Sequence, residues 1–180
     1  GLFVGGPKGY IYQGGVFADE IAVVDPHNGK VVDRIGPERG VHGPDDIYVT
    51  KDGTIYWTEI FGGNVGRLTP DGHWRVQHVA LGVNPITMNA QGCLFTALDF
   101  LGNGLYELDP ELIKPPKLLI PDIDTLNGFG FGPDGFLYGP LFFQHKVVKI
   151  NIDATPPTVE TVAEGFRVPS GVEFDSKGRM

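Results

Sequence analysis

The chain has 180 residues, a formal net charge of −8 and 41% hydrophobic residues. This length suits one domain with a core of useful size, and the acidic balance argues against nucleic-acid binding, which favours basic stripes. The apolar content is normal, so the 27 glycines and 15 prolines indicate many turns between short strands rather than disorder. The sequence has no apolar run of the roughly 18 residues that a membrane span needs. Its single cysteine, Cys93, excludes an internal disulfide or a cysteine-based zinc site.

Similar stretches recur along the chain with a period near 42 residues. After "GLFVGGPKGYIYQ" at the start, four stretches align without internal gaps: "PDDIYVTKDGTIYWTE", "VNPITMNAQGCLFTAL", "LNGFGFGPDGFLYGPL" and "PSGVEFDSKGRM". The turn glycines of the five stretches are Gly9, Gly53, Gly92, Gly135 and Gly178. Five starts of one structural unit are therefore visible.

Each unit contains the signals of four strands. In the second unit we expect strands near 46–50, 54–59, 65–69 and 74–80, separated by Asp-Gly and Gly-Asn turns. Four antiparallel strands in a repeat of about 40–45 residues are typical of a β-propeller blade. A β-sandwich is the alternative, but it does not require equal spacing.

We therefore predict an all-β fold, a single β-propeller domain over 1–180. Its blade units are expected at 1–41, 42–82, 83–124, 125–166 and 167–180. The first unit lacks the beginning of its first strand, and the last stops where a second strand is due. These boundaries predict a propeller truncated at both ends, with about four complete blades of an expected total of six.

Oxygen-bearing side chains recur at the start of the first strand of successive units. In a propeller these strands line the central channel, so their first residues form a ring at one mouth. The ring consists of Asp45, Asn84, Asn127 and Ser170. Carboxylate and amide oxygens suit Ca²⁺, and the absence of His and Cys disfavours zinc. The alternative is local, because Asp and Asn often cap a turn by bonding their own backbone.

The loops between the second and third strands are expected at the same end as this ring. They span 14–19, 59–64, 99–103 and 140–146 and contain both Phe residues and polar groups. Apolar walls over a polar floor are typical of small-molecule sites. We predict Glu59, Asp99, Phe142 and Phe143 as substrate contacts, although the Phe rings could instead pack between blades. His145 is a candidate proton carrier. The alternative is that it is an ordinary surface histidine without a catalytic role.

Two stretches, "LNGFGFGPDGFLYG" and "PDDIYVTKDGTIYWTEIFGGNVGRLTPDG", resemble the SMP-30/gluconolactonase/LRE-like group of six-bladed propellers. That group is related to paraoxonase-like and strictosidine synthase-like propellers. The resemblance implies a divalent cation at one mouth, Ca²⁺ first, with Mg²⁺, Mn²⁺ or Zn²⁺ as further options. Asn127 resembles the metal-binding Asn of the family's "PNG" motif, and Asn84 resembles the preceding Asn. The resemblance also implies a further Asn that contacts substrate, so we expect Asn84 both as a ligand and as a substrate contact. Ser170 stands where the family usually has an Asp that acts as ligand and base.

The resemblance implies a metal-dependent hydrolase of lactones or related small esters. The general base would then be Asp45 or a carboxylate outside this stretch of sequence. The alternative is that Ser170 marks an altered hydrolytic machinery. Two alternatives remain at this point. One is a non-catalytic NHL-type propeller that binds a ligand or protein, and the other is a strictosidine synthase-like propeller without metal chemistry.

Overall fold

Short antiparallel strands make up the chain in the computed structural model, which describes residues 1–180. The first sheet has strands β1–β4 and the second has strands β5–β8. Their bounds in chain order are Leu2–Gly5, Tyr10–Gly15, Glu20–Asp25, Lys30–Ile35, Ile47–Val49, Ile55–Glu59, Asn64–Leu68 and Trp74–His78. Each strand of the second sheet begins and ends within two residues of its predicted position.

The third sheet has strands β9–β12 and the fourth has strands β13–β16. Their bounds are Val83–Met88, Leu94–Leu98, Leu105–Leu108, Lys117–Ile120, Gly130–Phe131, Leu137–Leu141, Lys146–Asn151 and Thr158–Glu164. Two single turns of 3-10 helix, Pro37–Arg39 and Phe142–Gln144, are the only helical segments. No helix has the length and apolarity required to span a bilayer.

All four sheets have the same topology. Strands follow one another in sequence order and pair antiparallel with their neighbours. The Asp-Gly turns form where the sequence predicts them, and Gly53 has a φ of 95° in the turn between β5 and β6. Glycine adopts this conformation without steric cost. These observations confirm the predicted all-β architecture of repeated four-stranded units.

The core lies between sheets rather than within one of them. One buried cluster joins the first and second sheets and includes Ile21, Val41 and Trp57. Similar clusters lie between the second and third sheets and between the third and fourth. Both faces of β6 and β10 are buried because each strand has a sheet on either side. Burial of apolar side chains therefore sets the spacing of the blades.

The first strands of the sheets surround a cavity of about 290 Å³. Its lining includes Leu2, Tyr48, Ile86 and Phe129, one from the region of each innermost strand. We call the end with the connections from second to third strands, and from one sheet to the next, the mouth end. The other connections form the turn end. The cavity confirms the expected inward position of the first strands.

The last residues continue the repeat without forming a sheet. Val172 is buried, and its N–H donates to the Gly128 carbonyl oxygen at 2.8 Å. The predicted turn near Gly178 forms through a hydrogen bond from the Gly178 N–H to the Asp175 carbonyl oxygen at 2.9 Å. The individual blade boundaries stay a prediction.

Candidate functional site at the mouth end

Three of the four predicted ring residues occupy equivalent places in successive sheets. The Asp45 N–H donates to the Thr58 carbonyl oxygen at 2.8 Å, and the Asn127 N–H donates to the Pro140 carbonyl oxygen at 3.1 Å. Asn84 is the second residue of β9, directly after Val83, which pairs with β10. Each residue is thus fixed where the first strand of its sheet begins, beside the end of the second strand.

Asp99 and Asn84 form a close pair at this end. Asp99 is 0% exposed, and its Oδ2 accepts a hydrogen bond from Asn84 Nδ2 at 3.0 Å. Its other oxygen, Oδ1, is buried without a hydrogen-bond partner. Burial raises the pKa of Asp99 to about 6, against the Asn84 hydrogen bond that lowers it, and the Asp45 charge raises it further. Such a carboxyl is a candidate functional group because its protonation changes near neutral pH.

Asp46 is a second carboxylate with a raised pKa, and the sequence argument missed it. Its Oδ2 accepts a hydrogen bond from the Ile86 N–H of the next sheet at 2.9 Å. Burial raises its pKa to about 6, while hydrogen bonds from the Ile86 and Ile47 N–H groups oppose the shift. The signal in the sequence was the Asp45-Asp46 doublet just before β5. Adjacent residues of an extended chain point to opposite sides, so the two carboxylates must have different surroundings.

Thr58 ties the same two sheets together. Its buried hydroxyl accepts from the Asp46 N–H at 3.0 Å and donates to the Asn84 carbonyl oxygen at 2.6 Å. With the Asp46–Ile86 hydrogen bond, it fixes the start of β9 against β5 and β6. The positions of Asp46 and Asn84 therefore depend on each other.

Three of the ring residues lie at equivalent backbone positions, but their side chains bond other groups and not one another. No hydrogen bond joins the side chains of Asp45, Asn84 and Asn127. The Asp45 side chain is 22% exposed, and its Oδ1 lies 3.3 Å from the Gly1 nitrogen. The Asn127 Oδ1 accepts from the Gly128 N–H at 2.8 Å, which is the local turn chemistry that the sequence left open. Ser170 is exposed.

Adjacent units meet through glycines at this end. A Cβ atom on Gly128 would lie 2.5 Å from the Ser170 carbonyl oxygen, and one on Gly14 would lie 2.6 Å from the Asp45 carbonyl oxygen. Real Cβ atoms do not tolerate such distances, so each site requires glycine. The structure therefore brings Asn127 and Ser170 close in space through their backbones.

The oxygen groups at the mouth are of the type that binds a hard cation. The carboxylates alone are too few to hold it, so amide oxygens would have to serve as ligands as well. No group of three or more His, Cys, Asp or Glu side chains converges on one point. Asn84 Nδ2 donates to Asp99, which leaves the amide Oδ1 of Asn84 without a hydrogen bond. A cation held here would need this oxygen and the Asp45 carboxylate, the donor types that Ca²⁺ prefers.

Glu59 is buried in a hydrogen-bond network of the second sheet. Its Oε1 accepts from Trp57 Nε1 at 3.1 Å, and its Oε2 accepts from Asn64 Nδ2 at 2.8 Å. Asn64 also lies 3.2 Å from a ring nitrogen of His78. Its role as a substrate contact stays a prediction, and a substrate would have to replace one of these hydrogen bonds.

Three Phe rings form a cluster beside Asp99. The ring centroids of Phe100, Phe142 and Phe143 lie 5.1–5.8 Å apart, and their planes cross at 78–88°. Phe100 is 50% exposed and Phe143 is 56% exposed. The cluster thus joins the third and fourth sheets, as the packing alternative predicts, and still presents aromatic surface to solvent.

His145 lies in the same loop as Phe142 and Phe143 but makes a different contact. It follows the 3-10 turn with a φ of 57°, and its Nδ1 accepts a hydrogen bond from the Val168 N–H at 3.2 Å. The side chain is exposed and forms no ion pair with a carboxylate. Its role as a proton carrier stays a prediction.

Comparison with solved structures identifies the architecture. A streptogramin B lyase structure is 20% identical, with a TM-score of 0.73 over 91% of this chain and 53% of that one. A gluconolactonase from Xanthomonas campestris is 15% identical, with a TM-score of 0.72 over 95% of this chain and 64% of that one. A nidogen/laminin complex contains a chain that is 19% identical, with a TM-score of 0.78 over 95% of this chain and 66% of that one.

The fold is that of a β-propeller. At these identities the likeness concerns the fold alone, since the neighbours include a lyase, a gluconolactonase and a chain of a nidogen/laminin complex. This β-propeller chain spans about half to two thirds of the length of the structures it matches. No family model matches it, and no curated protein does. The more specific family resemblance of the sequence therefore stays a proposal.

Proposed function

We propose that the mouth end of this propeller binds a lactone or related small ester and hydrolyses it with the help of a divalent cation. The observation that carries the proposal is the arrangement of three oxygen groups at the mouth end of the sheets. The buried Asp99 carboxyl lies against the Asn84 amide, and the Asp45 carboxylate is near enough to raise the Asp99 pKa. Clustered groups with shifted pKa values are more common in functional sites than elsewhere.

The residues that would hold the cation are Asp45, Asn84, Asn127 and Ser170. Their oxygens suit Ca²⁺, with Mg²⁺, Mn²⁺ and Zn²⁺ as further options. When bound, a divalent cation supplies Lewis-acid polarisation of the substrate carbonyl and lowers the pKa of water. Asn127 would exchange its hydrogen bond with the Gly128 N–H for this role.

Other residues supply binding and proton transfer. Asp45 is the proposed general base because its carboxylate is partly exposed and no Lys or Arg side chain pairs with it. Asp99, Phe142 and Phe143 would contact the substrate and exclude water from one side. The Nδ1 atom of His145 accepts a hydrogen bond, so Nε2 is the atom that could carry a proton.

The test measures turnover of a panel of γ- and δ-lactones and nitrophenyl esters. We expect activity that disappears on chelation, returns with added Ca²⁺ and falls at least tenfold in Asn127→Ala. Calorimetry should detect Ca²⁺ binding that Asn84→Ala weakens. Turnover that persists after chelation and in Asn127→Ala would overturn the proposal.

A non-catalytic recognition propeller is a second candidate, and the Asn127 side chain favours it. Its Oδ1 bonds the next backbone N–H, so the ring amides could be turn caps only. The same calorimetric titration separates the candidates. Neither heat nor a shift in melting temperature with Ca²⁺ would favour recognition without metal chemistry.

A further inference from the structure

Charge is distributed unevenly between the two ends of the sheets. The mouth-end connections, residues 14–20, 35–46, 59–64, 78–84, 99–104, 120–127, 141–146 and 164–170, contain ten Asp or Glu but only three Lys or Arg. The turn-end connections contain eight acidic and seven basic residues. Nearly all of the net negative charge therefore lies at the mouth end, where it attracts cations and repels anions.

Of the mouth-end carboxylates Asp45, Asp46 and Asp99, only Asp45 has a cationic partner, the N-terminal amine 3.3 Å from its Oδ1. No Lys or Arg side chain forms an ion pair with Asp45, Asp46 or Asp99. Asp99 is also wholly buried, with Oδ1 lacking any hydrogen-bond partner. A buried unpaired polar atom is costly in a folded protein, and a ligand is one way to satisfy it.

The aromatic cluster adjoins this unpaired carboxyl. Phe100 directly follows Asp99 in the chain, and its ring meets Phe142 and Phe143 nearly at right angles. Three mutually perpendicular rings, two of them half exposed, present ring faces to a ligand from more than one direction. Aromatic faces attract ammonium groups through the ring quadrupole, and several faces together recognise alkylated ammonium.

From these observations we infer that the Asp99–Phe100–Phe142–Phe143 corner binds an organic ammonium group carried on an apolar body. The inference rests on the proposed function in one respect, that the ligand binds at the same mouth. It specifies a cationic substrate rather than a polyhydroxylated or anionic one. A cation on the exposed face of Phe100 lies within about one Debye length, ~10 Å, of the Asp99 carboxylate.

An anionic ligand fits this corner poorly. A sugar acid or a phosphate needs Lys, Arg or a row of backbone N–H groups. The connections 78–84, 99–104 and 120–127 contain no Lys or Arg, and Lys146 is the one basic residue of 141–146. A neutral polyol would place hydroxyl groups against Phe faces. The charge and the rings together favour an ammonium ligand over both.

The test compares choline with dimethylbutanol, its uncharged carbon analogue of the same shape, by NMR titration in the presence of a chelator. We expect choline to bind and the neutral analogue to bind at least tenfold more weakly. Equal binding of the two, or binding of neither, would overturn the inference.

Three variants locate the site. Asp99→Asn should weaken choline binding about tenfold, and Phe143→Leu, at an exposed ring, should weaken it about three- to fivefold. Phe17→Leu is the matched control, because this ring is 96% exposed and contacts Phe61 rather than the cluster. Should Asp99→Asn fail to fold, Phe143→Leu still decides. An unchanged affinity in Phe143→Leu would overturn the assignment to this corner.

The experiments distinguish a failure of the proposed hydrolase function from a failure of the proposed ammonium site. Choline binding without hydrolysis of any lactone or ester would contradict the proposed function and leave the ammonium site intact. Hydrolysis without a preference for cationic ligands would contradict the ammonium site alone.

Discussion

The same side chain, aspartate, has opposite properties at the two ends of the sheets. At the turn end, Asp52 accepts hydrogen bonds from the Thr50 and Thr54 hydroxyls, and these hold its pKa below the ordinary value. At the mouth end, burial raises the pKa of both Asp46 and Asp99 to about 6. Asp52 is therefore satisfied by its own loop, whereas Asp46 depends on the next sheet and Asp99 leaves one oxygen unpaired. This difference separates a turn carboxylate from the candidate functional carboxylates in a repeat whose units look alike.

The largest effect should come from cutting the link between sheets at the mouth end. Thr58→Val keeps the shape of a fully buried side chain and removes the hydroxyl that bonds both Asp46 and Asn84. Unsatisfied buried groups cost about 1–3 kcal/mol each, so we expect the free energy of unfolding to fall by about 2–3 kcal/mol.

Thr69→Val is the control for that substitution. The Thr69 hydroxyl bonds Asp71 and the His73 carbonyl oxygen in an exposed turn. Chemical denaturation should show a loss of at most about 1 kcal/mol, since water replaces the lost hydrogen bonds. Equal losses in the two variants would remove the distinction between the ends.

The mouth carboxyls should make stability depend on pH. Their folded pKa values, about 6, exceed the ordinary 3.8, so the folded protein holds these protons more tightly than the unfolded chain. The free energy of unfolding should therefore fall as pH rises from about 4 to about 6. Asp46→Asn should flatten this slope and stabilise the protein at pH 7 by about 1–2 kcal/mol. That gain is less than a two-unit pKa shift represents, because the amide introduces new buried donors. Denaturation curves between pH 4 and 8, in chelator, measure both effects.

The turn carboxylates should make the free energy of unfolding rise with pH, opposite to the mouth carboxyls, and by a smaller amount. Because hydrogen bonds lower the folded pKa of Asp52, its stabilising contribution is present above pH 4 and is lost on acidification through that lower pKa. Asp52→Ala should reduce the free energy of unfolding by about 0.5–1 kcal/mol at pH 7. The difference from wild type should shrink below pH 3, and a constant difference would contradict the assignment.

Local signals carried most of the fold prediction. Asp-Gly turns and alternating apolar residues recur at nearly equal spacing, and neither depends on distant contacts. The start of each inner strand followed from this alignment, so Asp45, Asn84 and Asn127 were placed at the correct end. Their role as metal ligands stays a prediction.

The chemistry of the mouth depended on contacts that a repeat pattern does not encode. Asp46 bonds Ile86, 40 residues away in the next sheet. Glu59 is an ordinary loop carboxylate in the sequence, yet Trp57 and Asn64 occupy both of its oxygens. Asp99 is buried and bonds Asn84 of its own sheet. The Asp46 contact depends on how two units pack together, and the Glu59 and Asp99 contacts depend on side-chain positions within a unit that the turn and strand pattern does not fix.

The glycine contacts between units have a consequence for how such a site can evolve. Since backbone lies against backbone at Gly14 and Gly128, the spacing of adjacent units at these contacts is set by the main chain and not by nearby side chains. Side chains at the mouth end can then be exchanged for others of different charge or bulk while the units keep this spacing. New ligand preferences are accordingly accessible by substitution at the rim, provided that these two positions never acquire a side chain.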